Sequence, residues 1–136
     1  MMKDRYLQFS EQLNRLVGEC RKYGSLFIAF DFDNTVFDYH NVGDTFPKVE
    51  SLLRSVKERG HTLILFTGNE GDRLTEIVQY CTDHGYTPDF INENPVMATR
   101  KPYYNVLLDD RAGLDSTYEL VSQMLDITYI DTVDHA

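Results

Sequence analysis

Four aspartates stand where apolar runs of this chain stop. Leu26 to Phe30 leads into Asp31-Phe32-Asp33-Asn34-Thr35, and Val106-Leu107-Leu108 leads into Asp109-Asp110-Arg111. Acids at the end of an apolar run are costly unless a cation or hydrogen bonds satisfy them. Magnesium would do so, because it takes oxygen ligands and combines one or two protein carboxylates with several waters. A carboxylate can also act as a nucleophile, and a second one beside it can give and take a proton. Taken alone, Asp31 to Thr35 reads equally well as a polar turn with an Asx cap.

Two more signals lie between these acids. The run Leu63 to Phe66 ends in Thr67-Gly68-Asn69, where Gly68 permits close backbone approach and a hydroxyl with N–H groups can hold an anion. An ordinary strand-to-helix turn has the same composition. Lys101, within Thr99-Arg100-Lys101-Pro102, is by itself a solvated loop charge. The order of the signals (DxDxT, then Thr-Gly, then Lys, then Asp-Asp) is more informative than any one of them, since three of the four end expected strands.

The elements that must position these residues follow from hydrophobic spacing. Tyr6, Phe9, Leu13, Leu16, Val17 and Cys20 have helical periodicity, with Gly24 placed to end the helix. Leu26 to Phe32 and His61 to Phe66 are nearly continuous apolar runs, as expected of strands buried on both faces. Between them Pro47 suits a first helical turn, and Val49, Leu52, Leu53 and Val56 form a stripe that stops at Gly60. Leu74, Ile77, Val78 and Cys81 predict another helix ending at Gly85, followed by a short strand near Asp89 to Asn92. Val106 to Asp109 predicts a fourth strand, Leu114 to Leu125 a last helix and Ile127 to Ile130 a closing fifth strand. Alternation of this kind predicts a parallel, Rossmann-like α/β sheet with helices on both faces, whose ligands sit beyond the carboxyl ends of the strands.

Composition limits the rest. A chain of 136 residues, 42% of them hydrophobic, matches one domain, divided into a helical extension over 1–24, a core over 25–131 and a tail over 132–136. No apolar run approaches the roughly 20 residues of a membrane span, and the first residues lack the pattern of a secretory leader, so a cytoplasmic location is expected. Cys20 and Cys81 fall on apolar helix faces and read as small hydrophobes. His40, His61, His84 and His135 have no metal-ligand spacing and read as surface or turn residues, so zinc is not indicated. A net charge of -9 disfavours polyanion and anionic-membrane partners at long range, but a cation can reverse the sign within a small site. Arg54, Lys57, Arg59, Arg73 and Arg111 are scattered and read as ordinary solvated charges.

From about Phe27 to Asp115 the sequence resembles the haloacid dehalogenase (HAD) superfamily of phosphohydrolases. Asp31 to Thr35 matches its first motif, Thr67 its second, Lys101 its third and Asp109-Asp110 its fourth, with Asp115 fitting an extended form of the last. The resemblance implies a sheet of about five strands in the order 5-4-1-2-3. It also implies a phosphatase that works through an aspartyl-phosphate on Asp31, with Asp33 as acid and then base. The Mg²⁺ cofactor would be held by Asp31, Asp110 and the Asp33 main-chain carbonyl, with Asp109 behind them. Thr67, Lys101, Asn69 and the N–H groups near Phe32, Asp33 and Gly68 would bind the phosphoryl oxygens, and Lys101, counted with Asp31 and Asp33 as catalytic, would also balance the three acids. Val36 to Phe46 is short and Glu70 to Arg100 is filled by one helix, one strand and a loop, so no cap domain fits. Capless relatives act on exposed phosphates or cover the site with a partner subunit, which makes a homo-oligomer one expected form.

The substrate class expected first is a nucleotide or other small phosphate ester. Asp109-Asp110-Arg111 also resembles the phosphatase half of polynucleotide kinase-phosphatases, which makes nucleic-acid ends the alternative substrate. That alternative is less favoured because no basic groove with interleaved aromatics is evident. A non-catalytic module that binds Mg²⁺ or phosphate is the competing class. A response-regulator receiver is disfavoured, because its phosphate-accepting aspartate ends the third strand whereas Asp89 begins the third strand expected here.

Overall fold

The structure, a computed structural model, describes residues 4–133. A 3-10 turn, Arg5–Leu7, precedes helix α1 (Phe9–Tyr23), and strand β1 (Phe27–Asp31) follows. Then come α2 (Pro47–Glu58), β2 (Thr62–Phe66), α3 (Gly71–Asp83), β3 (Phe90–Ile91), β4 (Val106–Leu108) and α4 (Leu114–Val133). All four strands are parallel, in the order β3-β2-β1-β4.

The central strands follow directly from their composition. Ile28, Ala29 and Phe30 of β1 are fully buried, as are Leu63, Ile64 and Leu65 of β2. Successive strand side chains point to opposite faces, so three consecutive buried residues mean that both faces of the sheet are covered there. Helix α2 starts on Pro47 and buries Val49, Leu52, Leu53 and Val56, the stripe read from the sequence. Helix α1 stops because Gly24 adopts φ 82°, and its N–H caps the Cys20 carbonyl at 2.8 Å. α1 packs on α4 and supplies Leu16, Val17 and Cys20 to the common core, so it is built into the domain. Cys20 and Cys81 are free and buried.

The expected fifth strand is absent, and the order 5-4-1-2-3 gives way to four strands in the order 4-1-2-3. Ile127 to Ile130 belongs to α4, which runs on to Val133. Val121, Met124, Leu125 and Thr128 are buried at helical spacing, whereas Ile127, Tyr129 and Ile130 are exposed. Thr128 secures the helix: its hydroxyl donates to the Met124 carbonyl at 2.8 Å and accepts from Arg59 Nη2 at 3.0 Å. Arg59 Nη1 also reaches the Leu125 carbonyl at 2.9 Å. Of the expected tail 132–136, Thr132 and Val133 are helical and the remainder lies outside the described residues.

His61 is not a surface residue. It is 5% exposed, just before β2, and its Nδ1 accepts the Leu26 N–H at 2.9 Å. Burial, reinforced by the charge of Arg59, lowers its pKa to about 4, so the ring is neutral and carries its proton on Nε2. Beside it Phe27 N–H donates to Asn105 Oδ1 at 2.7 Å, and Asn105 Nδ2 donates to Glu19 of α1 at 2.6 Å. Among the described residues no helix is long and apolar enough to cross a membrane.

Candidate active site

Strand register assembles the site. Asp31, the last residue of β1, pairs with Phe66 of β2, which puts Thr67 just beyond it. On the other side Phe30 pairs with Leu108, so one step further Asp31 and Asp109 come side by side. Single carboxylate oxygens of Asp31, Asp109 and Asp110 all lie within 4.8 Å of one another. Burial, then the charge of Asp109 and the proximity of Asp110, raises the Asp31 carboxyl to about 7. Three acids at this separation favour a proton or a cation among them, and oxygen donors of this kind suit a hard divalent ion.

The chain leaves β1 through a tight, anchored turn. The Phe32 carbonyl accepts from the N–H groups of Thr35, Val36 and Phe37 at 3.3, 3.0 and 3.2 Å, and Asn34 takes φ 60°. Phe32, Thr35 and Val36 are buried, which leaves Asp33 and Asn34 presented to the hollow. Thr35, part of the DxDxT signal but given no role from sequence, bridges the two strand ends. Its hydroxyl accepts the Asp110 N–H at 3.1 Å and lies 3.3 Å from Asp31 Oδ2 and 3.4 Å from Asp110 Oδ1. A single hydroxyl proton serves one of these two oxygens at a time.

Asp33 is poised differently. Its Oδ2 accepts from Asn69 Nδ2 at 3.3 Å, while Oδ1 is buried, without a hydrogen bond among the described residues, and 4.0 Å from Arg73 Nη2. The Arg73 guanidinium lies over the Phe37 and Phe32 rings, at 5.2 and 5.9 Å from their centroids. Reading Arg73 as a solvated charge is therefore corrected, and the same holds for Arg59, held by α4. Arg54 bonds the His84 carbonyl and Lys57 pairs with Asp89 at 2.7 Å. The partner of Arg73 is invisible in the sequence because only the folded turn carries Asp33 to the start of α3.

Thr67 closes the other side. Its hydroxyl accepts from Asn69 N at 3.1 Å and Asn69 Nδ2 at 2.8 Å, which leaves its own proton to donate. Its N–H is taken by Asn92 Oδ1 at 2.9 Å, and Asn92 Nδ2 returns a bond to the Thr67 carbonyl. Asn92, just past β3, was missed although the strand-end rule points to it. Gly68 is exposed, and a Cβ added there would meet nothing within 4 Å, so open space lies above the turn.

Two hollows flank the acids. One, of about 320 Å³, is lined by Asp31, Asp33, Asn34, Asp109 and Asp110 with Tyr39, His40 and Arg111 on its wall. The other, of about 440 Å³, runs from Asp31 and Asp109 past Thr67 and Gly68 to Asn92 and Tyr104. Lys101 lines neither. It is exposed in the loop before β4, with its carbonyl held by Asn94 Nδ2 at 2.9 Å and Thr99 Oγ1 at 3.2 Å. A hollow of about 460 Å³ near the amino ends of β1 and β2 touches none of these acids; there Arg21 pairs with Asp131 at 3.0 Å.

The fold has a solved counterpart. A conserved protein from Bacteroides thetaiotaomicron superposes with a TM-score of 0.60 at 25% identity, covering 73% of this chain and 91% of that one. No family model and no curated protein matches the chain.

Proposed function

We propose that this protein is a Mg²⁺-dependent phosphomonoesterase of the haloacid dehalogenase type that works through an aspartyl-phosphate on Asp31. The observation that carries this reading is the convergence of the Asp31, Asp109 and Asp110 carboxylates within 4.8 Å at the ends of two adjacent strands. The residues fit the ion: the donors are hard oxygens, and burial together with the neighbouring carboxylates of Asp109 and Asp110 disfavours the Asp31 charge, a cost that a cation would relieve. Asp31 and Asp110, with the Asp33 carbonyl, would hold it, and Asp109, which accepts the Arg111 N–H at 2.9 Å, would orient them. When bound, Mg²⁺ supplies charge neutralisation at the phosphoryl oxygens.

In the first step an Asp31 oxygen attacks phosphorus while the ester P–O bond breaks, and Asp33 gives its proton to the leaving oxygen. In the second step water attacks the same phosphorus, Asp33 takes the proton, and the acyl-phosphate P–O bond breaks to release phosphate and restore Asp31. The Thr67 hydroxyl, whose proton is unspent among the described residues, donates to a phosphoryl oxygen in both steps. A small ester is favoured over a nucleic-acid end, because a chain of net charge -9 repels a polyanion.

One observation favours the competing reading of a non-catalytic binding module: Lys101, the cation that would balance the acids, lines neither hollow. The deciding experiment is phosphate release from a panel of phosphate esters with Mg²⁺ and with chelator. Mg²⁺-dependent release that disappears in Asp31→Asn is expected. Release from no ester, with phosphate and Mg²⁺ still bound, would establish the binding module instead.

A further inference from the structure

The segment that follows β1 carries two aromatic side chains into the acidic hollow, although the core does not use them. Tyr39 is 58% exposed, its ring meets the His40 ring edge-on at 5.2 Å, and among the described residues its hydroxyl makes no hydrogen bond. An exposed tyrosine alone means little. This one stands on a fixed arm. The Asp38 carboxylate gathers the N–H groups of Val42, Gly43 and Asp44 at 3.2, 2.7 and 3.1 Å, and Asn41 and Gly43 take φ 52° and 93° to close the loop. The arm is therefore ordered by the Asp38 carboxylate, independently of the tyrosine, and it holds Tyr39 and His40 over the hollow floored by Asp31 and Asp33.

The lining also contains Arg111. Among the described residues its guanidinium has no acidic partner, although the chain carries 22 acids to 13 basic residues. A hollow of about 320 Å³ lies within the size range of small-ligand sites. Because Asp33 faces this hollow, the oxygen it would protonate, and the group attached to that oxygen, belong on this side.

Building on the phosphatase reading, we infer that the arm selects the leaving group: the Tyr39 ring stacks on a flat heterocycle with the His40 ring edge-on beside it, and the substrate is a single nucleoside monophosphate. The net charge disfavours a polyanionic strand, whereas one base with one phosphate fits between the aromatic wall and the acids. Arg111 meets the polar edge of the base or its sugar.

The test compares kcat/KM for adenosine 5′-monophosphate, O-phosphotyrosine and glycerol 1-phosphate in wild type, Tyr39→Ala and Tyr39→Phe. Loss of one stacking side chain should lower the nucleotide-to-glycerol-phosphate ratio in Tyr39→Ala by about 5- to 150-fold, with Tyr39→Phe close to wild type. An unchanged ratio, or a wild-type preference for O-phosphotyrosine over the nucleotide, would overturn the assignment. Proton resonances of the Tyr39 and His40 rings during titration of wild type with adenosine 5′-monophosphate separate this inference from the one beneath it. Ring shifts without phosphate release from any ester would keep the arm as a nucleotide contact and end the phosphatase reading. Release without ring shifts would do the reverse.

Discussion

The two ends of the sheet treat their polar groups in opposite ways. At the amino end of β1 the N–H groups of Leu26 and Phe27 each find a side-chain acceptor, buried His61 or half-buried Asn105, and Asn105 is held in turn by Glu19. At the carboxyl end Asp31, Asp109 and Asp110 crowd together, and Asp33 Oδ1 is buried with no hydrogen bond among the described residues. Both ends belong to the same strands and rest on the same core. The amino end is paired within the chain and contributes stability, whereas the carboxyl end holds unsatisfied capacity that a ligand would complete.

The largest effect should come from Asp31→Asn, which separates the two roles. Loss of the nucleophile should lower kcat by at least about a thousandfold. The same change removes a crowded charge, so in metal-free buffer near pH 8 the urea midpoint should stay level or rise. Loss of activity together with a lower midpoint would show that the acidic end also holds the fold together.

A smaller effect, opposite in kind, is expected at the amino end. His61→Ala leaves the Leu26 N–H without its buried acceptor, which should cost about 1–3 kcal/mol of stability in urea unfolding. Activity per folded molecule should be unchanged. The pH dependence has a definite sign. The folded pKa of His61 is depressed from 6.5 to about 4, so its contribution is complete above pH 6.5 and is lost as pH falls toward 4. Asp31 opposes it without metal: with its folded pKa raised from 3.8 to about 7, stability is gained as pH falls from about 7 toward 4. Removing Asp31 should therefore steepen the acid-side loss. A flat profile in Asp31→Asn from pH 7 to 4 would count against buried, neutral His61.

The smallest effect sharpens the contrast through the metal. Mg²⁺ at ten times its dissociation constant should stabilise the fold by about 1.4 kcal/mol, a rise of a few degrees in thermal midpoint. The rise should vanish in Asp110→Asn and persist in Lys101→Ala. An equal loss in both would mean that Lys101 supports the ion site from outside the two hollows.

Much of the acidic end was legible because its logic is local. A run buried on both faces leaves a period that can be read, and an acid at the end of such a run is conspicuous. Register, which brings Asp109 beside Asp31, then follows once the strands are adjacent. The misread parts depend on long-range partners. Ile127 to Ile130 has the β-branched and aromatic composition of a strand, but Thr128 is fixed in helix by an arginine 69 positions earlier. Buried His61 and the bridging role of Thr35 likewise need a second strand to become visible. The order of the four signals placed Lys101 third, but motif order does not determine where a loop turns its side chain.

The conversion of the expected fifth strand into helix also decides how the sheet meets its surroundings. The outer strands are β3, with two residues, and β4, with three. An edge this short offers too few free N–H and C=O groups in line to template another chain, and brief edges are one of the ways proteins avoid sheet-to-sheet aggregation. The longer strands β1 and β2, whose apolar middles would be hazardous at a margin, are enclosed between these two short neighbours.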